Sequence, residues 1–159
     1  MLIDMTLTKR DLEIITHLRN NARKKITTIA EETNIPVTTI YDKVRVQGKR
    51  YVTKHTSLLN FPALGLLAHA HLAMRVSPSV REKLYTYLME SPNVNSLYRT
   101  HFGTDYLAEC VFHNAALLLQ FTENLERNFR LEDLRVYHVI DTCKKEDFLS
   151  KPEHASLLL

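Results

Sequence analysis

Apolar side chains recur at helical spacing in three short stretches within the first 46 residues. The first stretch follows Thr8-Lys9-Arg10-Asp11, where the threonine and the acid have the spacing of a capping box, so a helix is predicted to begin there. Asn34 suits the left-handed residue that ends a second helix, and Pro36 suits the first turn of a third. The pattern therefore predicts a helix-turn-helix. Its inward-facing positions are Leu12, Ile15, Leu18, Ala22, Ile26, Ile29, Ala30, Thr33, Ile40 and Val44.

The helical pattern ends at Gln47-Gly48-Lys49, which predicts a turn. Residues 50–57 are rich in β-type side chains and predict a short wing strand. Residues 58–65 contain Pro62 and Gly65, both of which break regular structure, and they predict a linker between two domains.

From residue 66 onward, the pattern predicts four strands and two helices in the order β-α-β-β-α-β, which is the ferredoxin-like order. The predicted fold class is therefore α+β, with a winged helix-turn-helix domain followed by a ferredoxin-like βαββαβ domain. The strands are predicted at 66–76, 94–102, 106–113 and 134–143, and the helices at 77–90 and from the capping residue Asn114 to Phe129. The predicted domain limits are 1–57 for the first domain, 58–65 for the linker, 66–148 for the second domain and 149–159 for a tail.

Charge is divided unevenly between the two predicted domains. Residues 1–57 hold eleven lysines and arginines against six acids, a net charge of +5, whereas the rest of the chain has a net charge of −2. A basic first domain favours a polyanionic partner for that domain alone. The alternative is a chance imbalance among solvated side chains.

Composition argues against several classes of protein. No apolar run approaches the roughly 18–20 residues that cross a bilayer, and the first residues lack the pattern of a signal peptide. The two cysteines form no CxxC pair, which favours a reduced, cytoplasmic setting. With three glycines and no nucleophile elbow or HExxH motif, the sequence predicts no enzyme, no catalytic residues and no cofactor.

The third helix has the residue types of a DNA-reading element. In a helix-turn-helix the last helix lies in the major groove, where its first turn and outward face meet base edges. Lysines and arginines neutralise phosphates, a role that Lys54 also suits. The alternative is a three-helix cap with solvated charges. The predicted DNA-binding residues are Thr38, Thr39, Tyr41, Lys43, Arg45, Lys49 and Arg50.

The eight histidines raise the question of a metal site. Alternation along the strand at 66–76 places His69 and His71 on one face, and His101 and His113 are predicted near neighbouring strands. A zinc site needs three or four ligands that converge, which spacing alone does not establish. The sequence therefore favours a polar subunit contact on this face, and no metal ligands are assigned.

Several segments in the same order resemble the leucine-responsive regulatory protein (Lrp/AsnC) family over nearly the whole chain. The resemblance implies homodimers that form by packing of sheet on sheet, assemble further into tetramers or octamers, and bind double-stranded DNA with two heads. The segments are Leu7-Thr8-Lys9-Arg10-Asp11-Leu12-Glu13-Ile14-Ile15, Ile29-Ala30, Ile35-Pro36-Val37-Thr38-Thr39-Ile40, Leu58-Leu59-Asn60 with Gly65, Gly103-Thr104-Asp105-Tyr106-Leu107 and Arg135-Val136-Tyr137-His138-Val139-Ile140.

The resemblance also implies an amino-acid effector at the glycine turn, with Gly103, Thr104, Asp105 and Tyr106 as its binding residues. Backbone N–H groups at a glycine accommodate a carboxylate, and Asp105 suits an ammonium group. The same residues are what any hairpin turn prefers. The predicted function is sequence-specific regulation of transcription by an oligomer without a membrane partner. The alternative is an oligomeric protein that binds a small ligand and has no affinity for DNA.

Overall fold

The computed structural model describes residues 7–46 and 48–158, except for the side chains of Gly48, Lys49 and Ala155. It divides the chain into two compact units. The head comprises Met1–Leu58 together with Cys143–Leu159, and the body comprises Leu59–Thr142. Residues 143–148, which the sequence pattern placed in the second domain, are therefore grouped with the head.

The head contains the three predicted helices, α1 (Lys9–Asn20), α2 (Ile26–Thr33) and α3 (Val37–Val46). Thr8 caps α1 and completes the capping box with Asp11, as predicted. Asn34 ends α2 in the left-handed conformation, with φ of 55°, and Pro36 directly precedes α3. Local sequence signals thus place the beginning of α1, the end of α2 and the beginning of α3 correctly.

The core of the head is formed by isoleucines from all three helices and from the turn. Ile14, Ile29, Ile35 and Ile40 are buried together, and Leu18, Ile26, Ala30 and Val44 pack against them. The prediction was wrong for Ala22, which lies beyond the end of α1 and is exposed.

The predicted wing strand is absent from the part of the head that the structure describes. Gly48–Tyr51 forms a one-turn helix, α4, and residues 52–60 have no regular structure. The predicted turn begins at Gln47, which lies outside the described residues. β-type side chains form a strand only when a neighbouring strand pairs with them, and residues 50–57 have no such neighbour among the described residues.

The C-terminal segment of the head packs on α1. A short 3-10 helix at Pro152–Leu157 lies against this helix. Arg19 forms an ion pair with Glu146 and donates from Nε to the carbonyl oxygen of Phe148 at 3.1 Å. These contacts explain why residues 143–159 belong to the head.

The body has the predicted ferredoxin-like order of elements. They are β1 (Ala68–Val76), α5 (Arg81–Glu90), β2 (Val94–Arg99), β3 (Tyr106–Phe112), α6 (Ala115–Asn128) and β4 (Leu131–His138). The four strands pair in the antiparallel order β2-β3-β1-β4. Strand β2 ends at Arg99 and β4 ends at His138, before their predicted limits of Phe102 and Cys143. Phe102 and Ile140, which lie beyond these ends, are almost wholly exposed.

One face of the sheet carries both helices and the core of the body. Alternate residues of β1, including Ala70, Leu72 and Met74, are fully buried there against Leu84 and Leu125. We call the opposite side the open face. It carries His69, His71 and Ala73 of β1, Leu107 and Glu109 of β3, Tyr98 of β2 and Tyr137 of β4.

Among the described residues, no helix is both long enough and apolar enough to cross a membrane.

Candidate functional site

The outward face of α3 is open to solvent. The side chain of Tyr41 is 58% exposed and that of Arg45 is 66% exposed, and Thr38 is exposed at the start of the helix. Thr39 is half-buried, because it lies closer to the side that Ile40 anchors in the core. The structure thus places five of the seven predicted DNA-binding residues on α3, and three of them, Thr38, Tyr41 and Arg45, are exposed.

Asp11 ties α3 to α1. Its carboxylate is 1% exposed and accepts hydrogen bonds from the backbone N–H of Thr8 at 2.9 Å and from Lys43 Nζ at 2.5 Å. Burial raises the pKa of Asp11, but the hydrogen bonds from Lys43 and Thr8 outweigh burial and hold this pKa below its usual value. The buried ion pair therefore sets the orientation of α3 relative to α1.

The ammonium group of Lys43 is committed to this carboxylate rather than to solvent. Lys43 was predicted to contact phosphate, but only 22% of its side chain is exposed. The sequence spacing indicates this inward position, since Lys43 follows the core residue Ile40 by three positions and so lies on the same side of the helix. Lys43 is consequently a positioning residue in the structure.

The other predicted phosphate contacts lie after α3. Arg50 is exposed, and its guanidinium lies 5.3 Å from the centroid of the Tyr51 ring. Lys54 is exposed, whereas the side chain of Lys49 lies outside the described residues. On α3 itself, Arg45 lies 3.8 Å from Asp42, and both side chains are about two-thirds exposed. Exposed cations therefore lie both on α3 and in the segment that follows it.

The glycine turn between β2 and β3 is open on one side. Phe102 and Gly103 both have positive φ, at 60° and 109°, and a Cβ added to Gly103 would meet nothing within 4 Å. The hydroxyl group of Thr104 lies 2.8 Å from that of Thr100, across the base of the turn. The backbone around Gly103 is therefore accessible to a small molecule.

The other two predicted effector residues already have partners within the chain. The carboxylate of Asp105 accepts from the backbone N–H of Val76 at 2.9 Å and forms an ion pair with Arg81 at 2.8 Å. Tyr106 is fully buried in the core, and its hydroxyl donates to the carbonyl oxygen of Arg81 at 3.2 Å. Arg81, which the sequence analysis did not single out, is the half-exposed cation beside the turn.

The structure brings some of the histidines together and separates others. His69 and His71 lie beside Glu109 on the open face, and His69 Nε2 is 2.9 Å from Glu109 Oε1. His113 lies 3.1 Å from the carbonyl oxygen of Gly65, and the ring of His101 contacts the ring of Phe102 edge-on, with 4.2 Å between ring centroids. The sequence did not identify Glu109 as part of this cluster, because a single acid in an apolar strand indicates a site only when its neighbours in the sheet are known.

Comparison with known proteins identifies the fold. No family model matches the sequence, and no curated protein matches it significantly. Solved structures do match. A transcriptional regulator from Neisseria meningitidis, solved as a complex with L-Met, has a TM-score of 0.80 at 19% identity, and the match covers 88% of this chain and 94% of that chain.

LrpC from B. subtilis has a TM-score of 0.79 at 16% identity, with 89% of this chain and 99% of that chain covered. AsnC from E. coli has a TM-score of 0.76 at 15% identity, with 88% and 96% covered. At these identities the likeness establishes a shared fold. The predicted fold class and the resemblance to Lrp/AsnC regulators are confirmed at that level.

Proposed function

We propose that this protein is a DNA-binding transcriptional regulator of the Lrp/AsnC kind, in which α3 enters the major groove of double-stranded DNA. The observation that carries the proposal is the exposed face of α3, held in place by Ile40 in the core and by the buried pair of Lys43 with Asp11. A rigid helix with a polar and basic outward face has the form that groove reading requires. The fold shared with known regulators supports the same function.

Within this proposal, some residues contact base edges and others contact phosphates. Arg45 is suited to a bidentate contact with guanine, and Thr38 and Tyr41 to hydroxyl and methyl contacts with bases. Arg50 and Lys54 neutralise phosphates, which supplies affinity without sequence preference. Lys49 retains its predicted role as a phosphate contact. Lys43 is left out of this set because Asp11 occupies its ammonium group.

Self-association of the body would supply two heads. The open face carries Tyr98 and Tyr137, which are both more than half exposed, next to apolar residues such as Leu107. An aromatic and apolar sheet face of this kind favours an isologous contact with a second copy. We therefore propose a homodimer that covers the open face and reads DNA with both heads.

Alanine variants of α3 test the proposal directly. Arg45→Ala is expected to weaken binding to selected genomic fragments by about 1–3 kcal/mol, because the variant cannot make the bidentate contact with a base. Fluorescence anisotropy with fragments enriched from genomic DNA measures the change. Lys83→Ala is the matched control, since Lys83 is an exposed cation on α5 of the body.

Unchanged affinity and site preference in Thr38→Ala, Tyr41→Ala and Arg45→Ala would show that α3 is not the reader. Absence of any binding to DNA at low salt in the wild-type protein would favour the alternative function, an oligomeric protein that binds only a small ligand.

We further propose that an amino acid binds beside the glycine turn and regulates the protein. The regulator from Neisseria meningitidis that shares this fold was solved as a complex with L-Met. Here the half-exposed guanidinium of Arg81 and the accessible backbone at Gly103 are suited to the carboxylate of an amino acid. Asp105 contributes through its ion pair with Arg81 rather than as a separate anchor.

A thermal-shift series with the twenty amino acids tests this site. A ligand at a hundred times its dissociation constant is expected to add about 2.7 kcal/mol of apparent stability to the wild-type protein. The ligand-dependent shift should be lost in Arg81→Gln and retained in Arg75→Gln, which removes an exposed cation that pairs with Glu132 instead. A shift that survives Arg81→Gln would place the ligand elsewhere, and no shift with any amino acid would leave a regulator without this effector.

A further inference from the structure

The open face of the sheet gathers three side chains that are typical metal ligands. His69 and His71 lie two residues apart on β1 and therefore project from the same face. The register of β1 with β3 places Glu109 directly opposite His71. The ligand atoms of the three side chains all lie within 4.8 Å of one another.

Glu109 is unusual because its carboxylate is buried on a sheet face that carries no helix. The side chain is 7% exposed. Its Oε2 accepts from Asn95 Nδ2 and from Ser96 Oγ, both at 2.7 Å, while its Oε1 faces His69 Nε2 at 2.9 Å. One oxygen is thus held by neutral donors, and the other is aimed at the histidines.

The surrounding strands hold this arrangement in place. The register of β2 with β3 shifts between Val94 and Ser96, so Asn95 is the extra residue of a bulge. Bulges commonly re-aim a side chain, and here Asn95 and Ser96 both reach the same carboxylate oxygen. On the other side, the ring of Phe61 packs edge-on against His69, with 5.5 Å between ring centroids.

We propose that His69, His71 and Glu109 form a binding site for a divalent transition-metal ion of the zinc type. Two imidazoles and one carboxylate match the ligand preferences of such ions, whereas Mg²⁺ and Ca²⁺ prefer oxygen ligands alone. Neighbouring ligands of a tetrahedral zinc ion lie about 3.3 Å apart, so side-chain movements of at most roughly 1.5 Å bring this cluster to that spacing. Three protein ligands leave the fourth position of a tetrahedral site open.

The donors to Oε2 of Glu109 strengthen the inference. Metal-binding carboxylates in proteins are themselves held by hydrogen bonds from outer groups, and these groups affect affinity almost as much as the ligands do. Asn95 and Ser96 occupy that position here. A hydrogen-bonded pair of His69 and Glu109 that served folding alone would account for the burial, but it would give no metal-dependent change in the protein.

Zinc titration of the full-length protein, stripped with a chelator, tests the site. Calorimetry is expected to show one Zn²⁺ ion bound per chain, and the melting temperature should rise with Zn²⁺ but not with Mg²⁺. Cobalt substitution should produce visible absorption bands characteristic of tetrahedral coordination. The site lies on the open face of the body, which the proposed homodimer would cover, but it shares no residue with α3, so α3 variants should bind Zn²⁺ as the wild-type protein does.

Variants separate this site from adventitious binding to other histidines. His71→Ala and Glu109→Gln should each abolish stoichiometric Zn²⁺ binding. If His71→Ala fails to fold, Glu109→Gln still tests the site, because glutamine preserves the shape of the side chain. Asn95→Ala should weaken Zn²⁺ binding by about 10- to 100-fold because an outer hydrogen bond to Glu109 is removed. His138→Ala is the matched control, because His138 is an exposed histidine of β4 outside the cluster.

The proposal predicts loss of binding in the cluster variants and unchanged binding in His138→Ala. Failure of the wild-type protein to bind Zn²⁺ stoichiometrically, or equal binding by the wild-type protein and Glu109→Gln, would overturn it.

Discussion

Asp11→Ala is expected to destabilise the head by about 3–5 kcal/mol. The substitution removes the acid of the capping box, which costs about 1 kcal/mol by itself, and it leaves Lys43 without the partner that offsets its partial burial. Hydrogen exchange of peptides from residues 9–46, compared between variant and wild-type protein, measures the loss. Opening of these helices should become faster by two orders of magnitude or more, since each 1.4 kcal/mol corresponds to about tenfold.

Asp42→Ala is the matched control for this substitution. Asp42 is exposed and lies 3.8 Å from Arg45 on the same helix. Exposed pairs of this kind contribute about 0–1 kcal/mol, so Asp42→Ala should leave the exchange of the head nearly unchanged. An equally small effect of Asp11→Ala would mean that the buried pair does not hold α3 in place.

The stability of the head should also depend on pH through Asp11. Because the folded-state pKa of Asp11 lies below its usual value of 3.8, the contribution of the charged carboxylate is fully present above pH 3.8 and is lost as the pH falls through the lowered folded-state value. Acid titration of the head should therefore show a loss of stability that is smaller in Asp11→Asn, which has no charge to lose.

DNA affinity should fall by about 10³- to 10⁵-fold as salt rises from roughly 50 to 200 mM, if two heads together contact about 6–10 phosphates. The head carries a net charge of +5 over residues 1–57, and Arg50 and Lys54 are exposed in the segment that follows α3. Each cation that binds a phosphate releases a counterion, so the logarithm of affinity is linear in the logarithm of salt concentration with a slope of about −0.9 per phosphate. A slope of half this size would indicate that one head binds at a time.

Single substitutions measure how much each cation contributes to this salt dependence. Arg50→Ala and Lys54→Ala should each weaken binding to all sequences alike and make the slope about one unit less steep for each phosphate that the variant no longer neutralises. Lys83→Ala, on the body, should leave the slope unchanged. A slope near zero in the wild-type protein would exclude a polyanionic partner and, with it, the proposed regulation of transcription.

Much of the secondary structure could be predicted because its signals are local. The capping box of Thr8 with Asp11, the left-handed Asn34 and the cap at Asn114 each act within one turn of helix, so they were visible in the sequence and are present in the structure. Alternation along β1 likewise assigned its residues to the correct faces. The order of these elements was enough to predict the fold class.

The incorrect predictions concern segments whose structure depends on contacts with distant parts of the chain. The β-type residues at 50–57 predicted a wing strand, but a strand exists only when another strand pairs with it, and the sequence does not say whether one is near. Residues 143–148 were predicted to belong to the second domain, yet Arg19 of the head binds Glu146 and the carbonyl oxygen of Phe148, more than a hundred positions away in the chain.

For the candidate sites as well, local features could be predicted from the sequence and long-range contacts could not. Position on a helix made Thr38, Tyr41 and Arg45 recognisable as outward-facing residues, because helical periodicity depends only on near neighbours. The pairing of Lys43 with Asp11 and the convergence of Glu109 on His69 and His71 depend on how helices pack and on the register between strands. Contacts between residues distant in sequence arise only when the chain folds, so only the tertiary structure decides which charges meet, which cations remain exposed and which histidines lie beside a carboxylate.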